Sequence, residues 1–189
     1  MALTLFSRRP APTGLPAIEP APWPEIGETW TPEGVTIVQR YYNQAHAVVL
    51  VYTARHDYRH NVACLGCHFT KASSKRTSAP WLDLSEAATA ANEHASTCRA
   101  LPREIPARPD DDTVRERLRT WVTASRNRGA DEQVWIESLD PIRLTLQRTD
   151  DALETALQQL AVDQPEILRT DRCEYSGHVR YYARRLIER

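Results

Sequence analysis

Asn61-Val62-Ala63-Cys64-Leu65-Gly66-Cys67-His68 is the stretch on which the fold turns. Alternation over residues 58–63 reads as a β-strand, and the strand runs straight into two cysteines three positions apart. Just upstream, Ala47-Val48-Val49-Leu50-Val51-Tyr52-Thr53 is a compact Val-rich run. The two segments are predicted to form a hairpin turning at 55–57, which delivers the chain to Cys64. Gly66 lets the bend after that strand tighten, so that both sulfurs face one point.

Downstream, residues 84–100 are Ala-rich and predicted helical, with Asp83 or Ser85 as cap, Glu86 in the first turn and Pro102 beyond the end. His94 and Cys98 lie four apart on that helix, so they project from one face a single turn apart. The two pairs combine as Cys-x2-Cys-x26-His-x3-Cys. Three thiolates and one imidazole make a closed tetrahedral set for zinc, at sulfur and nitrogen distances of roughly 2.3 and 2.1 Å. His68 is an alternative fourth ligand or a donor to one of the thiolates, and His60 is another nearby candidate. Buried but unligated thiols, or a Cys64–Cys67 disulfide, are the plainer readings. Four protein ligands leave no open coordination position, so the expected ion is structural and the expected protein is not an enzyme.

Cys64, Cys67 and the block His94-Ala95-Ser96-Thr97-Cys98-Arg99-Ala100-Leu101-Pro102 resemble the zinc-finger segment of small uncharacterised proteins of actinobacterial chromosomes, plasmids and prophages. The resemblance covers about a fifth of the chain and implies zinc binding in the cytoplasm, without implying a reaction. His94-x3-Cys98 is also similar to the zinc-binding anti-sigma factors, but Leu101 stands where their next Cys belongs.

The remaining sequence divides around this module. Residues 1–34 hold seven of the 13 prolines and read as an arm whose Trp23 and Trp30 are anchors. Residues 35–101 are the finger-like module; Thr31-Pro32-Glu33 just before it reads as a helix start, and a helix to about residue 44 is preferred to the strand that the run Val35-Thr36-Ile37-Val38 would also suit. Residues 102–109, with Pro102, Pro106 and Pro109, read as a linker. Residues 110–189 are predicted all-helical. Asp110-Asp111-Asp112 opens a helix that Gly129 closes; 131–139 is a second. A third starts at Asp140-Pro141 and carries Ile142, Leu146, Leu153, Leu157 and Leu160. A last helix over 175–189 turns Val179, Tyr182 and Leu186 inward. The expected fold class is α+β but mostly α: a zinc-stabilised hairpin and helix followed by a helical bundle.

With 24 basic and 25 acidic side chains the formal charge is -1, so a nucleic-acid contact needs a local patch. Residues 55–82 supply one, with five basic groups, including Lys71, Lys75 and Arg76, against Asp57. Arg115, Arg119 and Arg126 offer a second surface on the first C-terminal helix. The expected function is therefore a zinc-binding adaptor for nucleic acid, with a protein-interaction or assembly factor as the rival. The longest apolar stretch, six residues, is far too short for a membrane span, which needs about 20. The charges after Met1 follow the apolar residues, the reverse of a secretory leader, so a cytoplasmic location is expected. Cys173 has no evident partner in the sequence.

Overall fold

The computed structural model describes residues 29–54, 59–72, 82–126, 129–175 and 177–185. Four strands, Thr36–Tyr42 (β1), Val48–Thr53 (β2), Asn61–Cys64 (β3) and Thr70–Ala72 (β4), form an antiparallel meander in that order. The order follows from β2, which is apolar or aromatic at every position before Thr53. A strand with no polar face must be enclosed, and β2 is buried from Val48 to Tyr52 between β1 and β3.

Alternation sends side chains to two faces. Val49, Val51, Val62 and Cys64 face the helix Leu84–Thr97 (α1), which presents Ala87, Ala90, Ala91 and Ala95 to them. Alanines on the buried side let the helix lie close to the sheet. Its start is fixed by a capping box: the Asp83 carboxylate accepts from Glu86 N at 2.8 Å, and Glu86 Oε2 accepts from Asp83 N at 3.0 Å. Val48, Leu50, Tyr52 and Ala63 point the other way, onto Leu144, with Trp30, Val35, Ile37 and Leu65 around them.

The second half is not a helical bundle, and the chain is not mostly α. The helix Asp111–Ala124 (α2) leads to Glu132–Val134 (β5), a 3-10 helix Ile136–Ile142 and a single turn Arg143–Leu146 (α3). Asp150–Asp163 (α4), Leu168–Arg172 (β6) and Val179–Ala183 (β7) follow. Among the described residues there are thus seven strands in two antiparallel sheets, the second ordered β5-β7-β6. Its core joins Val114, Leu118 and Val122 of α2 to Leu153, Leu157 and Leu160 of α4 and to Tyr181 and Ala183 of β7.

Each misread element has a physical cause. Where a helix to about residue 44 is predicted lies the strand Thr36–Tyr42, because β-branched Val35, Thr36, Ile37 and Val38 suit a pleated strand and β2 needs a partner on that side. Thr31-Pro32-Glu33 leads into a turn at Glu33 and Gly34 rather than a helix. Within the predicted last helix lies β7, whose Val179, Tyr181 and Ala183 obey a period of two while Arg180 points outward. The predicted helix over 131–139 is β5 and the start of the 3-10 helix. The third helix is broken by Gln147, at φ 49°, before Thr149 caps α4 afresh. Helix α2 ends at Ala124, with Ser125 rather than Gly129 as its cap. Of the Pro-rich arm, residues 1–28 lie outside the described residues, whereas Trp30 packs against the first sheet.

Named groups hold the segment 140–150 and join it to the first sheet. Tyr52 Oη donates to the carbonyls of Asp140 and Pro141, 3.2 Å each. Fully buried Arg143 donates to Asp150 Oδ1 and, at 3.3 Å, to the Arg148 carbonyl, and its Nε lies 3.8 Å from Asp140 Oδ1. Gly34, at φ 78°, passes so close that a Cβ there would sit 1.9 Å from the Arg148 carbonyl oxygen. Residues 102–109 carry no regular element. They are tied down by Gln147 Nε2 on the Pro106 and Ala107 carbonyls, at 2.9 and 3.1 Å, and by Arg148 on Pro109 O at 2.7 Å.

Candidate metal centre

The sheet delivers one half of the site and the helix the other. Cys64 ends β3 with its side chain on the α1 face, opposite Val49 in the ladder. The chain then bends: His68 N donates to Cys64 O at 3.2 Å and Cys64 N to Phe69 O at 2.9 Å. The positive φ in this bend belongs to His68, at 62°. Gly66 serves a different purpose, since a Cβ on it would lie 2.7 Å from Ala47 Cβ and 3.0 Å from both Ala100 Cβ and Leu101 O. It is glycine because two segments, the β1–β2 turn at Ala47 and the chain at Ala100 and Leu101, close over it.

Helix α1 ends at Thr97, and Cys98 is its cap, its N–H donating to His94 O at 2.8 Å. Cys98 is therefore one turn beyond His94 at the open end of the helix, directly over the knuckle. The donor atoms of Cys64, Cys67, His94 and Cys98 all lie within 4.8 Å of one another. Cys67 Sγ is 3.2 Å from His94 Nε2. Ligand radii of 2.3 Å set sulfurs about 3.8 Å apart around a tetrahedral ion, so the cluster could hold a metal ion with small adjustments. Cys64 is buried, His94 and Cys98 are half-buried, and Cys67 is exposed.

The surroundings suit a cation. Burial pushes the Cys64 thiol up to about 11, even though the amides of Cys67 and Gly66 donate to its sulfur. Burial also pushes Cys98 up, but the Ala100 amide, the Asn43 side chain and the sulfurs of Cys67 and Cys64 outweigh it, leaving that thiol below its usual range. Burial lowers His94, which favours the neutral imidazole that a metal requires. Crowding three thiolates here without a positive charge is costly, and a divalent ion removes that cost.

Two residues support the site in roles the sequence did not suggest: Phe69 reads there as a stacking group for nucleic acid, and Asn43 has no reading at all. Phe69 stacks on the His94 ring, centroids 4.1 Å apart and planes at 9°, and fixes its orientation. Asn43 is buried. Its Oδ1 accepts from Ala45 N and Ala47 N, at 2.9 and 2.8 Å, and its Nδ2 donates to Ala100 O at 2.9 Å. It thereby ties the β1–β2 turn to the chain leaving Cys98. An Asn beside a turn was the available signal.

The alternative ligands are not in the cluster: His68 is exposed with Nε2 against Arg103 Nη1, and His60 lies on the chain entering β3. Cys173 is remote, its sulfur 3.5 Å from Arg180 Nη2. Lys71 is exposed on β4, and Lys75 and Arg76 lie outside the described residues. Arg115 pairs with Asp112, and Arg119 forms a bidentate pair with Glu116 at 2.6 and 2.8 Å. Arg126 donates to the carbonyls of Arg184, Glu166 and Arg185 at 2.7, 3.3 and 3.2 Å. Among the described residues no helix is long and apolar enough to cross a membrane. No protein-family model, no curated protein and no solved structure matches the chain.

Proposed function

We propose that the chain is a zinc-binding, non-enzymatic adaptor in which one ion clasps the end of α1 to the knuckle after β3. The convergence of Cys64, Cys67, His94 and Cys98 carries this reading. Three sulfurs and one nitrogen favour zinc over oxygen-seeking cations, and four protein ligands leave no position for a reactant. The small sheet and Ala-faced helix bury few large side chains on the α1 side, so the ion supplies folding free energy that packing there does not.

Elemental analysis of protein purified without added metal tests the centre: one zinc per chain is expected, and a metal-free, fully folded protein would refute it. The partner is the second part of the proposal. Arg115, Arg119 and Arg126 are engaged within the chain, so a nucleic-acid contact rests on Lys71 with Lys75 and Arg76. Retention on mixed-sequence DNA that falls steeply with salt and disappears on charge reversal at these three positions supports nucleic acid. Absence of retention at low salt leaves a protein partner as the reading.

A further inference from the structure

The three sulfurs of the centre are not equivalent. Cys64 is buried and takes hydrogen bonds from the Cys67 and Gly66 amides, while Cys98 takes them from the Ala100 amide and the Asn43 side chain. Such bonds engage the lone pairs that would attack an electrophile, so they quiet a metal-bound thiolate. The sulfur of Cys67 lies 3.2 Å from His94 Nε2, and its residue alone of the four is exposed.

We infer that Cys67 is a modification site, the one reactive thiolate of the centre, and that a peroxide joins it to Cys98 and expels the ion. The inference rests on the zinc reading above. In the first step the Cys67 thiolate attacks one peroxide oxygen; the O–O bond breaks, hydroxide leaves, and Cys67 becomes a sulfenic acid. In the second the Cys98 thiolate attacks the Cys67 sulfur, an S–S bond forms and a second hydroxide leaves. Two thiolates have each lost one electron to the peroxide, which with two protons ends as two waters. Cys98 is the partner because it is half-exposed and stands at the end of α1, where the chain leaves regular structure. Cys64, inside β3 and buried, is held in the ladder. With two of four ligands consumed, the ion is released.

The experiment uses the wild-type chain. Zinc content is measured first. Hydrogen peroxide is then added in limiting amounts while released zinc is followed with a chromophoric chelator, and disulfides are mapped by mass spectrometry. In parallel, N-ethylmaleimide at less than one equivalent is used to rank the four cysteines. The expected result is loss of one zinc per disulfide, a Cys67–Cys98 link, and alkylation of Cys67 ahead of Cys64, Cys98 and Cys173. Zinc that stays bound through peroxide treatment, or first modification at another cysteine, overturns the inference and leaves the zinc reading intact. Absence of zinc at the outset overturns both.

Discussion

The Phe69 ring lies flat on the imidazole of His94, 4.1 Å between centroids and 9° between planes. The stack joins the chain leaving the knuckle to the last turn of α1, and it sets the direction in which Nε2 points. A ligand that is already oriented loses less freedom when the ion arrives. Phe69→Leu keeps the bulk but not the flat face, and should weaken zinc binding about tenfold while leaving the fold in place. Competition against a chromophoric chelator measures the affinity; wild-type affinity would show the stack to be incidental.

Gly66→Ala places a methyl 2.7 Å from Ala47 Cβ, closer than real Cβ atoms come, and a tight 3.0 Å from Ala100 Cβ and Leu101 O. Overpacking of this kind costs about 1–3 kcal/mol, and here it also pushes the knuckle away from Cys98. Chemical denaturation should give a lower midpoint, and elemental analysis less retained zinc after dialysis. A variant equal to wild type in both would mean that the two neighbouring segments move aside freely.

Tyr52→Phe removes two hydrogen bonds to carbonyls beside the 3-10 helix and should cost about 1 kcal/mol at neutral pH. It also bears on alkaline stability. Burial, and then the charge of Asp140, raise the phenol above its ordinary range. The folded form therefore holds its proton longer than the unfolded chain. Its contribution is complete below the unfolded value of about 10 and declines as the pH rises beyond it. The variant should lose less stability than wild type across that range; parallel curves would contradict the role given to the hydroxyl.

Asp131 Oδ2 accepts from Arg169 Nε at 2.7 Å, and Oδ1 accepts from Arg185 N at 3.0 Å, which anchors β6 and the end of β7. The Arg169 hydrogen bond, followed by that from Arg185, holds this carboxyl below its usual range. Stabilisation is then present above the unfolded value of about 3.9 and is lost as the pH falls through the folded one. Asp131→Asn should melt below wild type at pH 7, and the gap should narrow as the pH falls below the unfolded value. A gap that persists in acid would point to lost packing rather than lost charge.

The metal cluster was legible because its information is local: two sulfurs bracketing a bend, and a His and Cys one helical turn apart. The β2–β3 hairpin and α1 were legible for the same reason, as an all-apolar run and an Ala face with an Asp-to-Glu cap. The second half was not. Val179, Tyr182 and Leu186 fit a helical stripe as well as Val179, Tyr181 and Ala183 fit a strand, and the choice was made by β5 and β6, which lie on either side of β7. Likewise β1 took its conformation from the backbone groups that β2 offered it. The β-branched run at 35–38 suits a strand and a helix alike on its spacing, and non-local pairing decided between them. The intramolecular partners of Arg115, Arg119 and Arg126 were invisible as well, since an arginine on a helix reads the same whether it faces solvent, a carboxylate or a carbonyl.

Gly34 and the carbonyl of Arg148 touch across more than half the length of the chain. A contact of such span cannot nucleate folding, because the loop it closes costs entropy that only a largely assembled molecule repays. The entry to the first sheet and the start of α4 should therefore dock last, as a late and slow event after each hairpin and helix has formed. Replacing that glycine should leave early intermediates untouched and stall the chain one step short of its native state.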